Sequence, residues 1–337
     1  MRAATSACSV LPSSLPMTGN DDSTIAWLLA SNEPAVRLIT RRDLLGEDAP
    51  RDEQGILDGP IVNALLVDQR PDGGVGLHPY SKWRGAHWRL VSLVELSITS
   101  GEPRAVKAAD TVLAWLTSRA HRDNVPTIAG RARRCASQEG NALAVASRLG
   151  MADDPRVRLL AESLVGWQWP DGGWNCDRRP EARRSSFHET LPPIWGLHEF
   201  AVATGNAEAA DAARRGAELL LEHRLFRALT TGGPIHREWL TFHWPPFWHY
   251  DVLQALVVLA RLGVADDPRA ADAVELVRSR RRSGGRWRAS ARWWNPPGST
   301  RSPEAVDWRI GDDADRLVTL RALAVLRGVG LAAAETT

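Results

Sequence analysis

Trp167–Trp174 reads WQWPDGGW, and the rest of the chain can be parsed from this stretch. Pro170 presets φ and the paired glycines accept positive φ, so residues 170–173 form a tight turn. Gln168 and Trp174 flank the turn and are placed to tie it to neighbouring helices. Weaker copies stand at Arg70–Gly76 (RPDGGVG) and Arg282–Trp287 (RSGGRW). Three copies of one turn predict an internally repeated architecture.

Working outward, strongly apolar segments alternate with amphipathic ones. The apolar helices start at Ala35, His87, Glu139, His188, His249 and Asp313. The amphipathic ones cover 22–30, 56–68, 103–119, 152–167, 207–223 and 265–282. RLGMADDPRV at Arg148 recurs as RLGVADDPRA at Arg261, two units later. Helices that are apolar all round belong inside, and helices with one apolar stripe belong outside. Six such pairs wound in one direction close on themselves, which removes the need for capping repeats. The expected fold is therefore an all-α (α/α)6 toroid of six inner and six outer helices around a central cavity. The expected boundaries are a disordered lead-in over 1–21, one toroid domain over 22–330 and a disordered tail over 331–337. Met1 and Met17 both stand as candidate starts.

The 337 residues carry 42 basic and 40 acidic side chains, a net charge of +2, which gives no reason to expect nucleic acid or an anionic membrane as partner. The positive charge is almost wholly arginine, since Lys82 and Lys107 are the lysines. Three scattered cysteines, Cys8, Cys135 and Cys176, do not make a disulfide framework, and a reducing cytoplasm is the expected compartment. No apolar run approaches the roughly 20 residues that cross a bilayer, so stable membrane insertion is not expected. The compositional anomaly is 15 Trp against 5 Phe and 2 Tyr. Part of that excess is expected to line a cavity.

In a ring of parallel inner helices, all their N-termini meet at one mouth. The residues at those starts are the functional candidates. They include Trp83, His87 and Trp88 at the second start, Cys135 and Glu139 at the third, and Phe187, His188 and Glu189 at the fourth. His243, Trp244, Trp248, His249, Tyr250 and Asp251 come with the fifth, and Asp312, Asp313 and Asp315 with the last. Cys135, His188 and His249 are the expected metal ligands, a set that suits zinc. Packing or capping histidines and a small buried cysteine are the competing reading. Glu139, Asp251 and Asp313, with His188 and His249, are the candidate acid/base groups, against helix capping as the alternative. Arg134 is a candidate anion fork beside Arg131 and Arg133, and solvated loop charge is the other reading. The aromatic faces of Trp83, Trp88, Phe187, Trp195, Trp244, Trp248 and Tyr250, together with His87, are assigned to substrate binding.

The QWPDGGW turn, its copies and the helix alternation resemble the prenyltransferase and squalene-cyclase repeat superfamily over nearly the whole chain. Segments such as KWRGAHWRLVSLVEL and SSFHETLPPIWGL resemble single-toroid bacterial squalene-cyclase-like proteins. The resemblance implies an α/α toroid, an isoprenoid or similarly hydrophobic small-molecule substrate, and zinc as candidate cofactor. His188 falls where the zinc histidine of protein prenyltransferase β subunits would. Their Asp-x-Cys pair falls at Glu139 and Asn141, so the thiolate is displaced to Cys135. The cyclase D-x-D-D motif is replaced by Asp312-Asp313-Ala314-Asp315, and no DDxxD string is present. The functional expectation is a cyclase- or prenyltransferase-like enzyme using acid/base or metal-assisted chemistry at the inner-helix N-termini. A carbohydrate-active (α/α)6 enzyme and a non-catalytic hydrophobic-ligand or partner-binding ring are the alternatives, and a partner protein is left open.

Overall fold

The computed structural model describes residues 19–290, 292–309 and 311–328. Most of the expected lead-in, with Cys8 and Met17, and the whole expected tail lie outside the described residues. The fold is an (α/α)6 toroid. Its inner helices are α2 (Pro34–Ile39), α5 (Ala86–Glu95), α8 (Ser137–Arg148), α10 (Phe187–Thr204), α12 (Val252–Arg261) and α14 (Asp313–Leu326). The outer ones are α1 (Gly19–Leu29), α4 (Pro60–Leu66), α6 (Pro103–Leu116), α9 (Pro155–Trp167), α11 (Ala207–Glu222) and α13 (Ala271–Ser279). Short helices α3 (Pro50–Gln54) and α7 (Arg119–Arg122) and a two-stranded hairpin, β1 (Thr127–Ile128) with β2 (Arg131–Ala132), fill connections. Among the described residues, no helix is long and apolar enough to cross a membrane.

The starts of α5, α8, α10 and α14 fall within two residues of expectation, and α12 starts three residues late. Two segments, one outer and one inner, differ. The expected helix over 56–68 breaks into a 3-10 turn at Ile56–Asp58 and α4, because Gly59 and Pro60 interrupt it. The first inner helix continues as a π-helical turn, Thr40–Leu45, and ends at Gly46 with φ 66°.

Among the described residues, the first helix is an outer one and the last an inner one, so closing the ring joins α1 to α14. Arg316 on α14 donates to the Trp27 carbonyl on α1. Arg327 donates to the Leu44 carbonyl at 3.0 Å. Thr24 Oγ1 donates to the Gly285 carbonyl at 3.2 Å, which seats α1 beside the third turn.

The repeated turns are equivalent in detail. Gln168 Nε2 donates to the Gly172 carbonyl at 2.7 Å and to Ala212 on α11 at 2.8 Å. Gln69 Nε2 does the same to Gly73 at 3.1 Å and to Arg104 on α6 at 2.7 Å. Trp174 Nε1 reaches the Leu164 carbonyl at 2.9 Å, and Trp287 Nε1 reaches Val277 at 2.7 Å. Gly172 is obligatory: its φ is 92°, and a Cβ there would lie 2.4 Å from the Arg215 carbonyl oxygen. Each turn thus clamps an outer helix to the next one.

Helices α8 and α10 cross closely, because both carry glycine at the contact. A Cβ on Gly140 would meet the Pro193 nitrogen at 2.4 Å, and one on Gly196 would meet the Gly140 carbonyl oxygen at 2.3 Å. This contact brings the loop before α8 against the first turn of α10.

Candidate active site

The N-terminal mouth gathers residues from successive inner starts. Trp83 stacks on Phe247 at 4.8 Å between ring centroids and donates through Nε1 to the Trp293 carbonyl at 2.9 Å. His249 is sandwiched between Trp248 at 4.0 Å and Trp293 at 4.1 Å. The His188 ring lies 6.4 Å from that of His249. Its Nδ1 accepts the Tyr250 N–H at 2.9 Å, so the neutral ring carries its proton on Nε2. Burial holds His188 at about 4 and His249 at about 2, so both are uncharged at neutral pH.

The expected ligand set of Cys135, His188 and His249 does not come together. Among the described residues, the donors that share one sphere are Cys135, Cys176 and Glu189, whose ligand atoms all lie within 4.8 Å of one another. The reason is local geometry. His188 faces the α12 side, where its Nδ1 is committed to Tyr250, whereas Glu189, one residue on, faces α8. Glu189 Oε2 accepts the Ser137 N–H at 2.9 Å, and Oε1 faces Cys176 Sγ at 3.8 Å. Cys176 sits two residues beyond Trp174, so the repeat turn itself delivers it. That position is the signal that would have found it in the sequence.

The electrostatics separate the three donors. A hydrogen bond from Cys176 lowers the Cys135 thiol below its ordinary value, and the same contact, with burial, pushes Cys176 well up. Burial raises the Glu189 carboxyl, opposed by its hydrogen bonds to Ser137. Lys82 lies 4.8 Å over Trp248 and 5.2 Å over Trp83, and burial lowers its ammonium while Cys135 and Glu189 raise it. Burial pushes the Tyr80 hydroxyl above its ordinary value, with Glu189 and Cys135 adding to the effect.

Glu139 is buried, but Arg134 donates to its Oε1 from Nε at 2.9 Å and Nη2 at 2.6 Å, and His121 Nε2 stands 2.9 Å away. Arg134 therefore serves Glu139 and is not a free anion fork. Asp251 is fully used: Oδ1 caps α12 through the Gln254 N–H at 2.8 Å, and Oδ2 meets His243 Nδ1 at 2.6 Å. The capping reading thus holds for Asp251. Asp313 is paired with Arg309 on the far side of the ring from the thiols.

Several aromatics assigned to substrate are engaged by other side chains or by the backbone. Trp195 lies under Arg148 and Arg261, and Trp244 under Arg321. Phe187 stacks on Trp239 at 4.7 Å, and the buried Tyr250 hydroxyl donates to Leu225 at 2.6 Å. Trp88 donates to the Tyr80 carbonyl at 3.2 Å, and His87 packs on Trp88 with its ring centroid 4.6 Å away. Trp83 is buried, which leaves Trp248 as the half-exposed ring of the set.

Below the mouth the axis is filled by ion pairs at the other end of the inner helices. Arg261 forms a two-pronged pair with Glu95 at 2.9 and 3.0 Å, Arg321 joins Glu95 and Gln254, and Arg148 meets Glu199 at 2.9 Å. The cavity between this layer and the mouth, lined by Asn141, Leu191, Trp195, Phe247 and His249 among others, measures about 30 Å³. That is room for a few waters at most.

No family model and no curated protein matches the chain. It is similar to a solved protein from Actinoplanes, at 17% identity over 90% of this chain and 89% of that one, with a TM-score of 0.41. It is also similar to a substituted form of an unsaturated glucuronyl hydrolase named with dGlcA-Glc-Rha-Glc, at 13% identity over 94% and 98%, with a TM-score of 0.46. Likeness at these values carries no reading of the site.

Proposed function

We propose that this chain is a zinc-dependent enzyme that acts, at the mouth of the toroid, on a polar small molecule of the sugar class. The observation that carries the reading is the group Cys135, Cys176 and Glu189, three donors with ligand atoms within 4.8 Å. Two sulfurs and one carboxylate oxygen suit zinc, and three protein ligands leave a fourth position for substrate, as in catalytic sites. Their surroundings fit as well. Glu189 is aimed by the Ser137 N–H, the outer-shell support that metal-binding carboxylates ordinarily have. Cys135 is already biased toward the thiolate that a metal needs.

Zinc held there would supply Lewis acidity to a substrate oxygen. The chain's own groups do the rest. Lys82 brings a cation to the rim, the half-buried rings of Tyr80 and Trp248 offer flat faces to a sugar, and neutral His188 carries a proton on Nε2 for hydrogen bonding. Arg134 neutralises Glu139, so its charge does not compete with the substrate.

The resemblance to prenyltransferase and squalene-cyclase repeats favours an isoprenoid instead. A polyene taken into the ring needs space, and the 30 Å³ cavity above the Glu95–Arg261–Arg321 layer supports a substrate that stays at the mouth. The test is metal analysis of untagged protein together with turnover of a panel of glycosides and unsaturated uronic acids. One zinc per chain, lost with activity in Cys176→Ser, is expected. Protein that neither carries nor takes up zinc, or that binds prenyl alcohols and no sugar, removes the reading.

A further inference from the structure

A second concavity of about 350 Å³ lies against the end of α13, lined by Thr241, Phe242, Arg280, Arg281, Arg282 and Arg288 with Ser279 and Ser290. Among the described residues, no carboxylate is in its wall. It sits on the mouth side of the ring, because outer helices run opposite to inner ones. Ser290 N–H donates to the Phe242 carbonyl at 2.9 Å, which fastens the Arg288 segment to the segment leading into His243.

Arg281 is engaged by Asp21 and by the Gly285 carbonyl. Arg280, Arg282 and Arg288 are exposed, and among the described residues their side chains have no hydrogen-bond or ion-pair partner. Three unopposed guanidinium groups thus share one groove in a chain whose total charge is only +2. The hydroxyl protons are committed to the backbone: Thr241 donates to the Glu238 carbonyl at 2.7 Å, Ser279 to Leu276 at 2.8 Å and Ser290 to Arg288 at 3.4 Å. The C-terminal dipole of α13 contributes roughly half a negative charge, which does not cancel three full positive ones.

We propose that this groove binds a compact phosphate polyanion of the diphosphate type. Guanidinium forks match phosphate oxygens two by two. The volume lies at the lower end of the roughly 300–1,000 Å³ of small-ligand sites, which suits a compact ligand better than a polymer. The site lies outside α13, apart from the thiol group between α8 and α10, and does not depend on the reaction proposed there.

Calorimetric titration of the full chain with inorganic pyrophosphate, alongside orthophosphate, tests the assignment. The expected result is one saturable site that prefers pyrophosphate and weakens as salt is raised. The combined Arg280→Ala, Arg282→Ala, Arg288→Ala variant should bind at least about tenfold more weakly. The same three positions changed to Lys should fall between, because charge is kept and the fork is lost. Exposed positions leave the urea midpoint unchanged in both variants, which separates loss of binding from loss of fold. Unchanged pyrophosphate affinity in the alanine variant, absence of saturable binding, or binding confined to polymers such as RNA would each overturn the proposal.

Discussion

Glu189 on α10 accepts the Ser137 N–H that opens α8, at 2.9 Å, so a single carboxylate caps one inner helix from another while facing two thiols. Glu189→Gln keeps an oxygen for Ser137 and removes the anion. It should unfold within about 1 kcal/mol of the parent while losing zinc. Glu189→Ala also orphans the buried N–H and should cost a further ~1–3 kcal/mol. Urea unfolding with zinc counted per chain reads both effects. Retained zinc in both variants would contradict the site.

Stability should fall on both sides of neutrality, for different residues. Burial holds His87 at about 3, so the folded chain binds fewer protons there than the unfolded chain below about 6.5. That contribution is complete above about 6.5 and fades as pH falls, by up to about 1.4 kcal/mol per unit. Burial raises Glu33 to about 7 and Glu304 to about 8, so their contribution is complete below about 4.5 and fades as pH rises through those values. His87→Leu should make the acid limb of a stability–pH curve shallower, with His188 and His249 carrying the remainder. Glu33→Gln, which still accepts the Ile61 N–H, should flatten the alkaline one.

The Glu95 carboxylate is a buried hub. Burial alone would raise it, and Arg261 and Arg321 outweigh that and hold it at about 2. Glu95→Gln leaves the two guanidinium groups without their anion and should destabilise by about 3–5 kcal/mol. Replacing Glu95 and Arg321 together by Met should cost less than the two single changes added. A double-mutant cycle in urea measures the coupling, and additivity would mean that the pair is not one unit.

Two kinds of glycine should behave differently. Gly205 ends α10 at φ 71° with open space around it, so Gly205→Ala meets backbone strain alone, about 1–2 kcal/mol. Gly172→Ala adds a 2.4 Å clash with the Arg215 carbonyl oxygen, and Gly73→Ala a 2.2 Å clash with that of Lys107. Both turn variants should lower the melting temperature more than Gly205→Ala does. Equal shifts would mean that the turns yield without cost.

The helix alternation, the three turns and the ring closure were readable in the residues because they rest on local periodicity and on glycines that no other residue replaces. Trp174 and Trp287 hold equivalent bonds because their sequence contexts are equivalent. Cys135 could be placed at an inner start for the same reason. Its partners could not. Which donor meets Cys135 depends on the rotation of α10 about its axis, set by the Gly140–Gly196 crossing, and that rotation turns Glu189 toward the thiols and His188 toward Tyr250. The same holds for the axis. Trp195 does line the small axial cavity, but Arg261, which covers it, and Arg321, which covers Trp244, come from helices far away in the chain. WQWPDGGW therefore determined the period and the mouth. Only side-chain packing between non-adjacent helices decided which residues meet there and how little space the ring leaves, because such contacts have no fixed spacing along the chain.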